Sequence, residues 1–191
     1  MTDLYSVIGN PVDHSRSPWI HQQFALATQQ DMAYEKRLAP LEGFTASVED
    51  FFKQGGCGLN VTVPFKEEAW VLSQQRTEWA EIAGAVNTLS MQDGLLLGHN
   101  TDGIGLVRDL IHNQGFELKA KRILILGAGG AVRGVLKPIL DEFPAEICIA
   151  NRTVAKATAL LELLGRPENL STAGFDEVSG QFDLIINGTS A

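Results

Sequence analysis

Short apolar runs alternate with helically spaced apolar residues along the first hundred positions. "LYSVIGN" (4–10), "AYEKRLA" (33–39) and "CGLNVTV" (57–63) read as strands. Between them, "SPWIHQQFALATQ" (17–29) reads as a helix, with Ser17 as N-cap and Pro18 at the first position. "FTASVEDFFKQ" (44–54) places Phe44, Val48, Phe51 and Phe52 on one helical face. After the third strand, "NVTVPFKE" predicts that Pro64 opens a helix over "KEEAWVLS", with Lys66 in its first turn. "AVNTLSM" (85–91) and "LLLGHN" (95–100) flank Asp93-Gly94 as a hairpin.

"TDGIGLVRDLIHNQG" (101–115) reads as a bridging helix. A second unit then begins with "KRILILGAGGAVRGVLKPIL", a buried strand, a glycine turn and a helix. "AEICIANR" (145–152), "TVAKATALLELLG" (153–165) and "FDLIINGTSA" (182–191) add a strand, a helix and a strand. Repeated strand–helix alternation predicts an α/β protein with parallel pairing. The expected division is an N-terminal domain over 1–103 and a cofactor domain over 104–191.

Composition narrows the function. Twenty-three acidic against fifteen basic side chains give a net charge of -8. With no basic run, a nucleic-acid surface is excluded, and any positive potential must be local to residues such as Arg16, Arg133, Arg152 and Lys156. No apolar run reaches the roughly 18 residues of a membrane helix. The N-terminus lacks the pattern of a secretory signal. Cys57 and Cys148 match no metal or redox spacing, so a cytoplasmic protein with reduced thiols and no metal is expected.

"GAGGA" (127–131) lies between a strand and a helix, where backbone amides suit a pyrophosphate. The common fingerprint has a third glycine where this chain has Val132. The next strand ends in Asn151-Arg152-Thr153 rather than an acidic residue. A guanidinium there can pair with a 2′-phosphate, so NADP is expected over NAD. In the first domain, Ser15, Ser17, Asn60, Thr62, Lys66, Asn87, Thr101 and Asp102 follow strand ends, a set suited to a small polyhydroxylated acid.

"GNPVDHSRSPWIH", "GLNVTVPFKE", "AGAVNT", "GHNTDG", "GAGGAVRG" and "NRT", in this order, closely resemble the shikimate dehydrogenase family. The resemblance implies an N-terminal substrate domain, a Rossmann-like cofactor domain and NADPH-dependent reduction of 3-dehydroshikimate to shikimate in aromatic amino-acid biosynthesis. By the same resemblance, Ser15 and Ser17 bind the substrate carboxylate. Asn60, Thr62, Asn87 and Thr101 hold or line the rest of the substrate. Lys66 is the acid/base and acts with Asp102. Glu78 borders the cofactor, Gly127, Ala128, Gly129, Gly130 and Ala131 hold the pyrophosphate, and Asn151, Arg152, Thr153 and Lys156 hold the 2′-phosphate end. The expected partners are this small molecule and a second copy in a homodimer.

His99 stands where the family has aspartate, and is read as tolerated variation. The family continues beyond the position of Ala191, so the cofactor domain is expected to be incomplete, with an apolar edge and an uncovered face. Two other readings stay open: a quinate/shikimate dehydrogenase with looser cofactor choice, and a non-catalytic sensor of shikimate-type metabolites on the same scaffold.

Overall fold

The computed structural model describes residues 2–189 and divides them into two units. One runs to Glu81 and takes in Ala85–Asn100. The other comprises Ile82–Gly84 and the residues from Thr101 onward.

The first unit is built on a six-stranded sheet in the order β2-β1-β3-β5-β6-β4. Its strands are β1 (Asp3–Gly9), β2 (Met32–Leu38), β3 (Gly56–Val61), β4 (Gln75–Arg76), β5 (Thr88–Gln92) and β6 (Leu95–His99). β1 pairs in parallel with both β2 and β3, as strand–helix alternation predicts. The β5–β6 hairpin pairs antiparallel, and β5 runs antiparallel to β3. Its turn is the predicted one, with Asp93 at φ 51° and Gly94 at φ 78°, the left-handed pair that a two-residue hairpin demands.

The helices of this unit are α1 (Ser17–Thr28), α2 (Phe44–Lys53), α3 (Lys66–Leu72) and α4 (Glu78–Ala83), the last ending in the neighbouring unit. α2 buries Phe44, Val48 and Phe51, the face that its spacing predicts. Phe44 stacks on Phe65 at 4.7 Å, which seats the start of α3 on the core.

Two helix starts differ from expectation. Arg16, not Ser17, is the N-cap of α1; Ser17 is already helical, and its N–H donates to Ser15 Oγ at 3.3 Å. A serine two residues upstream therefore takes the capping bond. Pro64 does not open α3. The Phe65 N–H bonds the Thr62 carbonyl at 3.1 Å, closing a turn around Val63-Pro64. Helical geometry then begins at Lys66.

The second unit carries a parallel sheet in the order β10-β7-β8-β9. Its strands are β7 (Arg122–Leu126), β8 (Glu146–Ala150), β9 (Leu170–Ala173) and β10 (Leu184–Asn187). The predicted strand over 182–191 is thus shorter, and its last two residues lie outside those described. β7 buries Ile123, Leu124 and Ile125 in succession, the continuous apolar run of a parallel strand with both faces covered.

Helices α5 (Asp102–Arg108), α6 (Gly130–Leu140) and α7 (Val154–Leu163) supply Val107, Leu136, Ile139 and Leu160 to the core on one face. The predicted helix over 101–115 is α-helical only to Arg108 and continues as a π-helical turn, Asp109–Asn113. The expectation of an uncovered second face is met only in part. Leu124, Cys148 and Ala150 are buried there, with Val178 and Phe182 packed against them, while Ile185 of β10 is 60% exposed.

Candidate functional site

Polar side chains of the first unit gather at the carboxyl ends of β1 and β3, where ligands meet open α/β sheets. Ser15 Oγ donates to Ser17 Oγ at 3.1 Å. Ser17 lies near the hydroxyl of Tyr34 on β2 and pulls its pKa down. The Tyr34 hydroxyl donates to Asn60 Oδ1 at 2.6 Å. Asn60 Nδ2 donates to Thr88 Oγ1 at 3.2 Å, and Thr88 Oγ1 donates to Asn87 Oδ1 at 3.0 Å. Ser15 and Ser17 are thus bonded to each other, and Asn60 and Asn87 belong to one hydrogen-bonded chain that runs from Tyr34 through Thr88.

Two further members, Tyr34 and Thr88, were not singled out from the sequence. Tyr34 is stacked on His21 at 4.1 Å with rings 4° from parallel. Burial pushes the Tyr34 phenol up to about 12, against a smaller downward pull from Ser17. The phenol therefore keeps its proton at neutral pH and stays a donor. Burial also lowers the pKa of His21, which favours a neutral ring under the phenol.

Thr62 follows β3 and approaches Gly9 closely: a Cβ at position 9 would stand 2.4 Å from Thr62 Cγ2. Lys66 is half-buried rather than fully exposed. Its carbonyl accepts the Val86 N–H at 2.8 Å, which ties the first residue of α3 to the residue before Asn87. Asn87 is only 8% exposed, and its N–H is bonded to the His99 carbonyl at 2.9 Å. His99 itself packs at 5.6 Å from Trp79, with Nδ1 buried and unpartnered. Glu78 opens α4 on the surface.

In the second unit Thr101 is the N-cap of α5 and Asp102 its first residue, both exposed. A separate cavity of about 790 Å³ opens at the carboxyl ends of β7 and β8. Gly127, Ala128, Gly129, Gly130, Ala131, Asn151, Arg152, Thr153 and Lys156 all line it, so every expected cofactor residue of this unit is brought together. Phe175, Gly188 and Thr189 line it as well; they lie on segments that carried no motif.

The donor set fits a phosphorylated dinucleotide. Gly127 has φ 102°, open only to glycine at low cost, and a Cβ there would meet the Gly188 carbonyl oxygen at 2.9 Å. At Gly129 and Gly130 a Cβ would meet nothing within 4 Å, so the backbone is bare toward the cavity. Gly129 caps α6 without a side chain, leaving the first-turn amides for an anion. Asn151 Nδ2 donates to the Thr153 carbonyl at 2.8 Å and holds the loop that carries Arg152. Among the described residues no carboxylate pairs with Arg152 or Lys156. Arg133, another local cation, instead donates Nε–H to the Ile82 carbonyl. No group of His, Cys, Asp and Glu among the described residues could hold a metal ion, and no helix there is long and apolar enough to cross a membrane.

The chain is similar to known proteins along its whole length. Residues 7–89 match the shikimate dehydrogenase substrate binding domain, and residues 109–191 match shikimate / quinate 5-dehydrogenase. The NADP(+) shikimate dehydrogenase of Alkalilimnicola ehrlichii is 59% identical over 191 residues, covering 100% of this chain and 71% of that protein. That of Marinobacter nauticus is 57% identical, covering 99% and 70%. An Ael1 enzyme from Pseudomonas putida superposes with a TM-score of 0.96 at 45% identity, over 100% of this chain and 70% of the other. Shikimate 5-dehydrogenase from Thermus thermophilus, solved with NADP(H) and shikimate, gives 0.85 at 32% identity, over 98% and 69%. Identity of this size along the whole chain, on a scaffold whose glycine turn and Arg152 fit a 2′-phosphorylated dinucleotide, leads to one conclusion: the chain belongs to the shikimate dehydrogenase family of NADP-dependent oxidoreductases.

Proposed function

We propose that the chain interconverts 3-dehydroshikimate and shikimate, with Lys66 as the acid/base and Asp102 as the carboxylate that works with it. NADPH, when bound, supplies the hydride. As a ketone is reduced, negative charge grows on its oxygen, and a positioned ammonium lowers the barrier by delivering a proton there. In the reverse direction the same amine accepts the proton of the alcohol. Ser15 and Ser17 would donate to the substrate carboxylate, and Asn60, Thr62, Asn87 and Thr101 would bond its hydroxyls. The amides of 127–131 would take the pyrophosphate, with Glu78 beside the cofactor. Asn151, Arg152, Thr153 and Lys156 would take the 2′-phosphate.

The observation that carries this reading is the polar cluster of bonded Ser15 and Ser17 and the chain from Tyr34 through Asn60 and Thr88 to Asn87, with half-buried Lys66 tied to Val86 next to Asn87. A surface lysine needs no such setting. The test is reduction of NADP⁺ by the purified protein with shikimate, run beside quinate and beside NAD⁺. Absence of shikimate-dependent NADPH formation defeats the reading. Equal rates with quinate would make the substrate class broader.

A cytoplasmic location and a homodimer belong to the same proposal. α1 leaves Trp19 and Leu26 exposed, seven residues apart on one side of the helix, an apolar stripe that a second copy would cover. Sedimentation equilibrium tests the dimer, and a monomer at all concentrations refutes it.

A further inference from the structure

We infer that Phe175 is the wall against which the adenine of the cofactor rests. The inference rests on the proposed placement of NADP in the cavity at the strand ends of the second unit, and adds the residue that meets the base. Four strands reach that cavity: β7 through the glycine turn, β8 through Asn151, Arg152 and Thr153, β9 through Phe175, and β10 through Gly188 and Thr189. Among the described residues that line it, Phe175 is the one large apolar side chain. A phenyl ring offers nothing to a phosphate. It offers an apolar face or edge to another ring.

The sheet order puts Phe175 where a base belongs. The strands stand in the order β10-β7-β8-β9, about 4.8 Å apart. In the proposed site the pyrophosphate is at the end of β7 and the 2′-phosphate at the end of β8. The adenosine ribose carries the 2′-phosphate, so the base lies on the Arg152 side of the pyrophosphate, away from β10. The next strand in that direction is β9. Ala150 of β8 pairs with Ala173 of β9, and the Asn151 N–H donates to the Ala173 carbonyl at 3.1 Å. Arg152 and Phe175 thus each stand two residues beyond the same rung of the ladder.

The ring is not recruited by the core. Phe175 is 45% exposed and belongs to neither hydrophobic cluster of the second unit. Among the described residues no aromatic ring or cation stacks on it, Arg152 included. Its backbone is held nonetheless. It opens a short 3₁₀ turn, Phe175–Glu177, in which the Gly174 N–H donates to Glu177 Oε2 at 2.7 Å and the Glu177 N–H to the Gly174 carbonyl at 3.1 Å. A ring on a pinned turn is in place before the base arrives, which lowers the ordering cost of binding.

The test compares Phe175→Ala with Phe175→Tyr, which keeps an aromatic ring. Calorimetric Kd values for NADP⁺, NAD⁺ and 2′,5′-ADP are read beside thermal melts. Loss of a base–aromatic contact weakens binding by about 5- to 100-fold. Phe175→Ala should therefore raise Kd for all three ligands by one common factor in that range, since all three carry adenine. KM for NADP⁺ should rise with it, while kcat and KM for shikimate hold. The melting temperature should hold, and Phe175→Tyr should bind as the wild type does.

Unchanged affinity in Phe175→Ala overturns the inference. So does a loss that spares NAD⁺, which would make Phe175 a support for the Arg152 loop, a loss that spares 2′,5′-ADP, or a loss that Phe175→Tyr shares in full. Should Phe175→Ala melt far below the wild type, Phe175→Gln carries the same expectation. A wild type that binds neither NADP⁺ nor 2′,5′-ADP overturns the cofactor placement and this inference with it; a wild type that binds both, beside an alanine variant that binds them equally well, overturns this inference alone.

Discussion

Replacing Arg152 by alanine separates cofactor reading from fold support. Arg152 is exposed at the carboxyl end of β8, in the cavity that also holds Thr153 and Lys156. Among the described residues it pairs with no carboxylate, so its removal breaks no internal ion pair and orphans no buried group. The melting temperature should therefore hold. What is lost is a charge-assisted bond to the 2′-phosphate, worth roughly 1.5–3 kcal/mol. At about 1.4 kcal/mol per decade, Kd for NADP⁺ should rise by about one to two decades. NAD⁺ has no 2′-phosphate, and its Kd should stay where it was. Arg152→Lys should fall between, because it keeps the charge and loses the planar fork. Calorimetric titration with NADP⁺, NAD⁺ and 2′,5′-ADP reads these differences without turnover. Equal weakening toward NADP⁺ and NAD⁺ would refute the assignment and return Arg152 to a surface-loop role.

Lys66→Ala should lower kcat by roughly 10²- to 10⁴-fold with a small change in KM, as expected for loss of a proton donor; wild-type kcat would remove it from the chemistry. The Tyr34 phenol, raised from 10.0 to about 12 by burial, stays protonated in the fold while the unfolded chain ionises near pH 10. Its contribution to stability is thus full below pH 10 and drains away as pH rises toward 12. Denaturant melts across that window should show a loss that Tyr34→Phe reduces, and the same slope in both proteins would contradict the burial argument. Gly9→Ala would place a Cβ 2.4 Å from Thr62 Cγ2. Such overpacking costs about 1–3 kcal/mol, so the melting temperature should drop and KM for shikimate rise as Thr62 is displaced; unaltered melting and KM would show that the loop yields freely.

Elements with a strong local signal were legible in the sequence. α2 shows its buried face in Phe44, Val48 and Phe51, and the β5–β6 hairpin is announced by Asp93-Gly94. β4, α4 and β9 were not, because they are two, six and four residues long. The two strands depend on partners that no short window contains: β4 on β6, β9 on β8. The site divides in the same way. Ser15, Ser17, Asn60 and Asn87 sit in recognisable motifs, and their grouping follows from strand ends. Tyr34 lies in an alternating strand and is indistinguishable there from a half-buried packing residue. Only the parallel β2-β1-β3 order brings its hydroxyl to Asn60. Thr88 offered a signal, since it follows Asn87 directly, but a threonine in a strand is ordinary.

The glycine fingerprint shows why a motif can be imperfect and its geometry intact. The third glycine of the common pattern allows a helix to pack closely against the sheet. Here that position is Val132, fully inside the core of the second unit. The room it needs comes from Gly188, directly after β10, where a Cβ would stand 2.4 Å from Val132 Cγ2. The Gly188 carbonyl oxygen in turn lies where a Cβ on Gly127 would approach to 2.9 Å. The contact is the same one, with the missing side chain moved from the helix to the strand exit. Because β10 pairs with β7 in parallel, the two glycines face one another although they are far apart in the sequence. A local pattern read along the chain counts Val132 as a defect; the sheet order turns it into half of a complementary pair.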